Sequence, residues 1–239
     1  MPTKKSKFHP KTQHQFNVTI ENYIKAIWNL SQSLPKDRRG IKNIDLSKHL
    51  NVTRASITGM VKKLLDKGLI SKHDMSPEIY LTPKGLELAY DILRKHRLIE
   101  MFLLRTLDIE GLEIHEEAEL LEHAISPRLL DAIDAFLEFP KYDDSGLTIP
   151  RSGGRKHLDH NKDSIPLSAA NIEEMITVVS IADYNPSSLD GLKTKNIQIG
   201  ARFKVMDVST DNFVHLQSNK KQSIVLSFDE ANLIRVATP

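Results

Sequence analysis

Six side chains stand out by type and spacing. His96 and Glu100 lie four residues apart, and His115, Glu119, Glu122 and His123 follow within one run, IHEEAELLEHAIS. On a helix, offsets of three and four put side chains on one face. His96 and Glu100 then align on one helix. His115 aligns with Glu119, and Glu119 with Glu122 and His123, on a second. Two such faces opposed would offer imidazole nitrogens and carboxylate oxygens to a divalent cation. The chain has no Cys, which excludes thiolate ligation, disulfides and a Cys nucleophile. A carboxylate-rich N/O set suits Mn²⁺ or Fe²⁺, although affinity alone favours Cu²⁺ or Zn²⁺. Taken singly, each residue reads equally as a solvated group, a cap or half of a surface salt bridge; only the grouping points to a metal. Glu116 and Glu117 in the same run read as solvated.

The elements that must carry these groups are legible. TIENYIKAIWNLSQ has Ile20, Tyr23, Ile24, Ile27 and Leu30 at helical spacing, with Thr19 as its N-cap. IKNIDLSKHLNVTRASITGMVKKLLDKGLI divides into a short helix, a turn and a second helix. Thr53 caps the second helix, Ile57, Val61, Leu64 and Leu65 form its buried stripe, and Gly68 ends it. GLISKHD and EIYLT read as a hairpin turning near Ser76-Pro77. A long helix starts at Pro83 and carries RKHRLIE. Two more helices are predicted, roughly Leu112 to Ala124 and Pro127 to Leu137. The stretch FPKYDDSGLTIPRSGGRKHLDHNKDSIP reads as loop and linker. After Ser168 the period changes to short β-branched runs, which suggest a small five-strand barrel of the SH3 type.

Helix, helix-turn-helix and hairpin in that order make a winged helix-turn-helix. Its second helix would present Thr53, Arg54, Ala55, Ser56, Thr58 and Gly59 to a major groove, with Lys62 toward phosphate. Gly59 inside a helix costs roughly 1 kcal/mol against Ala, which makes sense where a side chain would collide with DNA. Charge agrees: residues 1–85 hold 16 Lys+Arg and 6 Asp+Glu, and the remainder 17 and 25. A basic first third suits a polyanion. The competing readings are a solvated basic surface and a helix-turn-helix reused for protein contacts.

Together RKHRLIE (94–100), IHEEAELLEH (114–123), the helix-turn-helix with its GLISKHD wing, and SLDGLKTKNIQIGARFKV resemble the diphtheria toxin repressor family of iron- and manganese-dependent regulators, over residues 18–239. The resemblance implies a homodimer that binds double-stranded operator DNA when loaded with metal and represses metal-uptake genes. It implies His96, Glu100 and His115 as an ancillary site, and Glu119, Glu122 and His123 as three ligands of the primary site. Iron-tuned members often carry Cys where this chain has Glu119, and manganese-tuned ones Glu, so Mn²⁺ is expected, with Fe²⁺ as the alternative. Asn22 stands where the first helix supplies Asp or Met. Lys25 stands where short manganese regulators place an acidic ligand, which argues against their tightly spaced binuclear site. From the barrel, Asp183 falls near a further ancillary-ligand position.

The expected fold is therefore mainly α with a β tail. Its parts are a basic flexible arm (1–16), a winged helix-turn-helix DNA-binding domain (17–85), a helical dimerisation and metal-binding domain (86–150), a linker (151–168) and an SH3-like domain (169–239). No apolar run reaches the ~20 residues of a membrane span, and the basic N-terminus has no apolar core of a secretory signal, so a cytoplasmic, non-membrane protein is expected. HExxH, G-x-S-x-G and P-loop motifs are absent, which argues against an enzyme. A metal-dependent hydrolase and a metal-blind winged-helix regulator are the alternatives.

Overall fold

The computed structural model describes residues 18–32, 34, 40–73, 76–107, 109, 112–151, 164–181, 191–192, 194–208, 212–219 and 221–237. Helix α1 spans Val18–Gln32, α2 Asn43–His49 and α3 Arg54–Asp66, followed by strands β1 (Ile70–Lys72) and β2 (Ile79–Leu81). The apolar spacing of α1 buries Ile20, Tyr23, Ile24 and Ile27 against Leu46 of α2, Ile57 and Leu64 of α3, and Ile79 of β2 in one core. Thr19, expected as a cap, lies inside α1, whose first turn begins before it.

The helix-turn-helix closes as its capping residues require. The Thr53 hydroxyl accepts from the Ser56 N–H at 3.2 Å. At the other end Gly68 takes a φ of +65°. Gly68 N–H donates to Leu65 O at 2.9 Å, and Leu69 N–H to Leu64 O at 3.0 Å, so α3 ends in a Schellman motif with Leu64 and Leu69 both buried. The hairpin pairs Ile70 with Leu81 and Lys72 with Ile79, and Ile41 bridges Ile79. These contacts complete the wing.

Helix α4 (Pro83–Leu107) runs unbroken from the wing into the second half of the helical region. At its start Gly85 backs onto the wing: a Cβ there would lie 2.0 Å from the Leu69 carbonyl oxygen. Its buried side chains include Ile92, Leu93, Leu98, Ile99 and Met101, but also Arg94, His96 and Arg97, which the apolar stripe does not foretell. Helices α5 (Leu112–Leu121) and α6 (Pro127–Phe136) pack on α4; α5 stops three residues short of the expected Ala124. Arg94 donates to Asp134 of α6 at 2.9 Å. Arg97 donates to the Thr148 carbonyl at 2.6 Å, and its guanidinium lies 5.7 Å from the centre of the Trp28 ring. The segment after α6 is accordingly no free loop: Leu147 and Ile149 are buried, and Tyr142 bridges Thr148.

The β region is a six-stranded antiparallel sheet in the order β3-β8-β4-β5-β6-β7. Its strands are β3 (Ile165–Pro166), β4 (Met175–Ile181), β5 (Arg202–Val208), β6 (Phe213–Ser218), β7 (Ser223–Ser227) and β8 (Ile234–Ala237), with the short α7 (Phe228–Leu233) before β8. Register shifts at Val178/Ser180 and Val205/Asp207 bend the sheet around a single core built from Leu167, Val178, Val205, Leu216, Leu226 and Val236. The expected five strands become six because Ile165–Pro166 pairs with β8. Ile165 and Pro166 thus belong to the sheet and the fully buried Leu167 to its core, although all three fall in the stretch expected as linker. A mainly helical chain with a small SH3-like β unit is the architecture observed. Residues 1–16, 152–163 and Asp183 lie outside the described residues. Among the described residues no helix is long and apolar enough to cross a membrane.

Candidate metal centre and DNA-facing helix

The helical packing brings α1, α4 and α5 together, and with them most of the expected ligands. His96 is the hub. It is 2% exposed on α4 and uses both ring nitrogens. On one side His96 Nε2 lies 2.9 Å from Glu100 Oε1 and 3.1 Å from His115 Nδ1, while His115 Nδ1 lies 3.0 Å from Glu100 Oε1. On the other side His96 Nδ1 lies 2.7 Å from Glu122 Oε2. Two groups of candidate ligands result, His96–Glu100–His115 and His96–Glu119–Glu122, each with ligand atoms within 4.8 Å of one another. They are contiguous: His115 Nε2 stands 3.5 Å from Glu119 Oε1.

This partition differs from the expected one. His96 belongs to both groups. His123 belongs to neither: its Nδ1 pairs with Glu21 Oε2 at 2.5 Å, and its Nε2 stands 3.6 Å from Glu122 Oε1. Asn22 has a buried Oδ1 without a hydrogen-bond partner. It lines a cavity of about 150 Å³ with Lys25, His96, His115 and Glu119. Glu116 and Glu117 are exposed.

The contacts of two residues were not foreseen. Glu21, 6% exposed on α1, is the partner of His123. Its place in a first helical turn reads as a dipole-complementing acid, and no local spacing links it to a residue so far along the chain. Lys25 stands in the second group as a cation. Its Nζ donates to Glu119 Oε1 at 2.6 Å and Glu122 Oε2 at 2.8 Å, and lies 3.0 Å from His96 Nδ1.

Electrostatics follow from this enclosure. Burial opposes the Lys25 ammonium, yet Glu122 and Glu119 hold its pKa above the ordinary lysine value. Burial and the Lys25 charge oppose a protonated His96, but Glu100 and Glu122 outweigh them, and its pKa stands at about 10. Despite burial, the His96 and His115 imidazoles hold Glu100 well below the usual carboxylate range. His96 and Lys25 likewise depress Glu122. The cluster is thus a set of buried anions that must be matched by cations. The donors are oxygen and nitrogen without sulfur, two of the carboxylates already receive an ammonium, and among the described residues Glu122 Oε1 and Asn22 Oδ1 are buried without a hydrogen-bond partner. The residues fit a divalent cation.

The expected DNA-facing residues share one surface. Thr53, Arg54, Ala55, Ser56, Thr58, Gly59 and Lys62 are all exposed, while Ile57, Val61 and Leu64 on the opposite face are buried. An added Cβ at Gly59 meets nothing within 4 Å, so no packing within the chain demands glycine there. Gly59→Ala is therefore expected to raise folding stability by up to about 1 kcal/mol and to weaken DNA binding. Chemical denaturation and fluorescence anisotropy check the two halves separately.

Comparison with known proteins finds relatives of both halves of the helical region. Residues 15–75 match the family model of the iron-dependent repressor N-terminal DNA-binding domain. Residues 82–151 match that of the iron-dependent repressor metal-binding and dimerisation domain. An uncharacterized HTH-type transcriptional regulator of Methanocaldococcus jannaschii is 36% identical over 120 residues, 50% of this chain and 93% of that protein. The transcriptional regulator MntR of Salmonella typhimurium is 31% identical over 121 residues, 50% of this chain and 72% of its own length. The solved structure of the manganese regulator SloR is 28% identical, covers 92% of this chain and 98% of its own, and superposes with a TM-score of 0.78. With both halves of its helical region matched and the architecture shared along nearly its whole length, the chain belongs to the iron-dependent repressor family, that of the diphtheria toxin repressor.

Proposed function

We propose that the chain is a metal-dependent transcriptional repressor that grips operator DNA as a homodimer when Mn²⁺ is bound, with Fe²⁺ as the alternative, and controls metal-uptake genes. The observation that carries the reading is the meeting of three helices at His96. Glu119 of α5, Glu122 just past its end and His96 of α4 reach the same point as Lys25 of α1, the helix on which α2 and α3 pack. Candidate ligands are His96, Glu100 and His115 for one ion and Glu119, Glu122 and His96 for another, with His123 and the Asn22 carbonyl adjacent. Bound there, a divalent ion supplies a concentrated positive charge between buried anions. The chain's own residues do the rest: the carboxylates and imidazoles fix α1 relative to α4 and α5. That in turn fixes the spacing of two recognition helices across a dimer. A shift in DNA affinity requires that this arrangement hold metal more tightly in the DNA-competent state than in any other. Similar solved structures include the regulator ScaR with bound Zn²⁺ and with bound Cd²⁺, so titration decides the metal.

The test is anisotropy with DNA from upstream of the chain's own gene, with and without Mn²⁺. Wild type is expected to gain at least tenfold in affinity with Mn²⁺, and Glu119→Ala to gain none. A Glu119→Ala protein that responds like wild type would overturn the assignment. The dimer has its own prediction. Leu129 and Phe136 of α6 are 54% and 63% exposed beside the buried Leu130 and Ile133, apolar surface that a partner would cover. The double variant Leu129→Asp/Phe136→Asp is expected to sediment as a monomer at micromolar concentration.

A further inference from the structure

We propose that Lys25 is a tethered cation that occupies the Glu119–Glu122–His96 cluster, so that this cluster takes a divalent ion only by expelling the Lys25 side chain. The inference rests on the metal-sensor reading above and adds an order of filling to it. Lys25 Nζ donates to two carboxylate oxygens, Glu119 Oε1 at 2.6 Å and Glu122 Oε2 at 2.8 Å, and stands 3.0 Å from His96 Nδ1. The two carboxylate oxygens are ones an ion would use. The ligand atoms of the group lie within 4.8 Å of one another, and two cations so confined repel strongly in a buried site. The neighbouring group carries no such occupant. Among the described residues the ion pairs of Glu100 are with His96 and His115 alone.

The side chain also has a destination. Lys25 and Asn22 line the same cavity of about 150 Å³, which reaches Asn29 and the end of α2 at His49. Asn22 Oδ1 is buried without a partner and offers an acceptor to a relocated ammonium. In the exchange the Lys25 hydrogen bonds to Glu119 and Glu122 break, those carboxylate oxygens turn to the metal, the lysine remains protonated, and any proton His96 gives up in order to ligate passes to solvent. His96–Glu100–His115 therefore fills first, and the second group fills at higher metal concentration.

Calorimetric titration of wild type, Lys25→Met and Lys25→Arg with Mn²⁺ alone tests this. Wild type is expected to show a tight and a weak phase. Lys25→Met tightens the weak phase at least tenfold, Lys25→Arg leaves it weak, and His115→Ala removes the tight phase in each background. Nitrogen-15 NMR of wild type gives a readout that needs no variant to fold: the protected Lys25 ammonium signal is present without metal and disappears on saturation with diamagnetic Cd²⁺. Equal weak phases in wild type and Lys25→Met, or an ammonium signal that survives Cd²⁺ saturation, would overturn the exchange while leaving the sensor reading intact. Absence of any Mn²⁺ binding in all chains would overturn both.

Discussion

Glu122→Ala is expected to lower the metal-free unfolding free energy by about 3 kcal/mol. Its side chain is fully buried and pairs with both Lys25 at 2.8 Å and His96 at 2.7 Å. Removing one partner of a buried pair typically costs about 3–5 kcal/mol, because the other charge is left stranded. The lower end applies here, since Glu119 still reaches Lys25 at 2.6 Å from a more exposed position. Replacing a whole buried pair with apolar groups is often neutral. Glu122→Ala/Lys25→Met should accordingly regain most of the loss, a non-additivity that a double-mutant cycle in urea measures directly. A cost below about 1 kcal/mol for the single variant, on the scale of an exposed pair, would mean that the three-helix junction is open to water.

His96→Ala should abolish the response to metal altogether, with Mn²⁺ affinity falling by more than roughly two orders of magnitude. Mutating groups that merely support a ligand already costs about 10–100-fold, and His96 contributes to both candidate groups at once. Loss of Glu100 or His115 alone should spare the second group; loss of His96 should spare neither. Titration calorimetry on His96→Ala, with the exposed Glu116→Ala as control, decides the matter. A tight phase retained in His96→Ala would mean that the two groups do not share their hub.

Much of this was readable in the chain. The recognition helix was fixed by Thr53, by Gly68 and by the Ile57–Val61–Leu64 stripe, all short-range signals. The ligand helices were legible because offsets of three and four are local geometry. What escaped was non-local. Glu21 meets His123, and Lys25 meets Glu119 and Glu122, only after α1 folds across α4 and α5; nothing in TIENYIKA announces those partners. Arg97 is likewise drawn inward by Thr148 and the Trp28 ring, both far from it in sequence. The ordered turn around Leu147 and Ile149 was hidden by its Gly, Ser and Asp content, which signals loop whether or not two apolar residues anchor it. The first strand of the sheet was missed because two residues are too few for an alternating pattern.

The continuity of α4 carries a mechanical corollary. Twenty-five residues make a rod of about 37 Å at 1.5 Å per residue, with His96 near its middle and Gly85 seated against the wing. A tilt of about 5° pivoting at one end displaces the other by roughly 3 Å, nearly the stacking distance of one base pair. A rigid lever of that length turns a small rearrangement around one imidazole into a mismatch, or a match, of reading frame on the duplex.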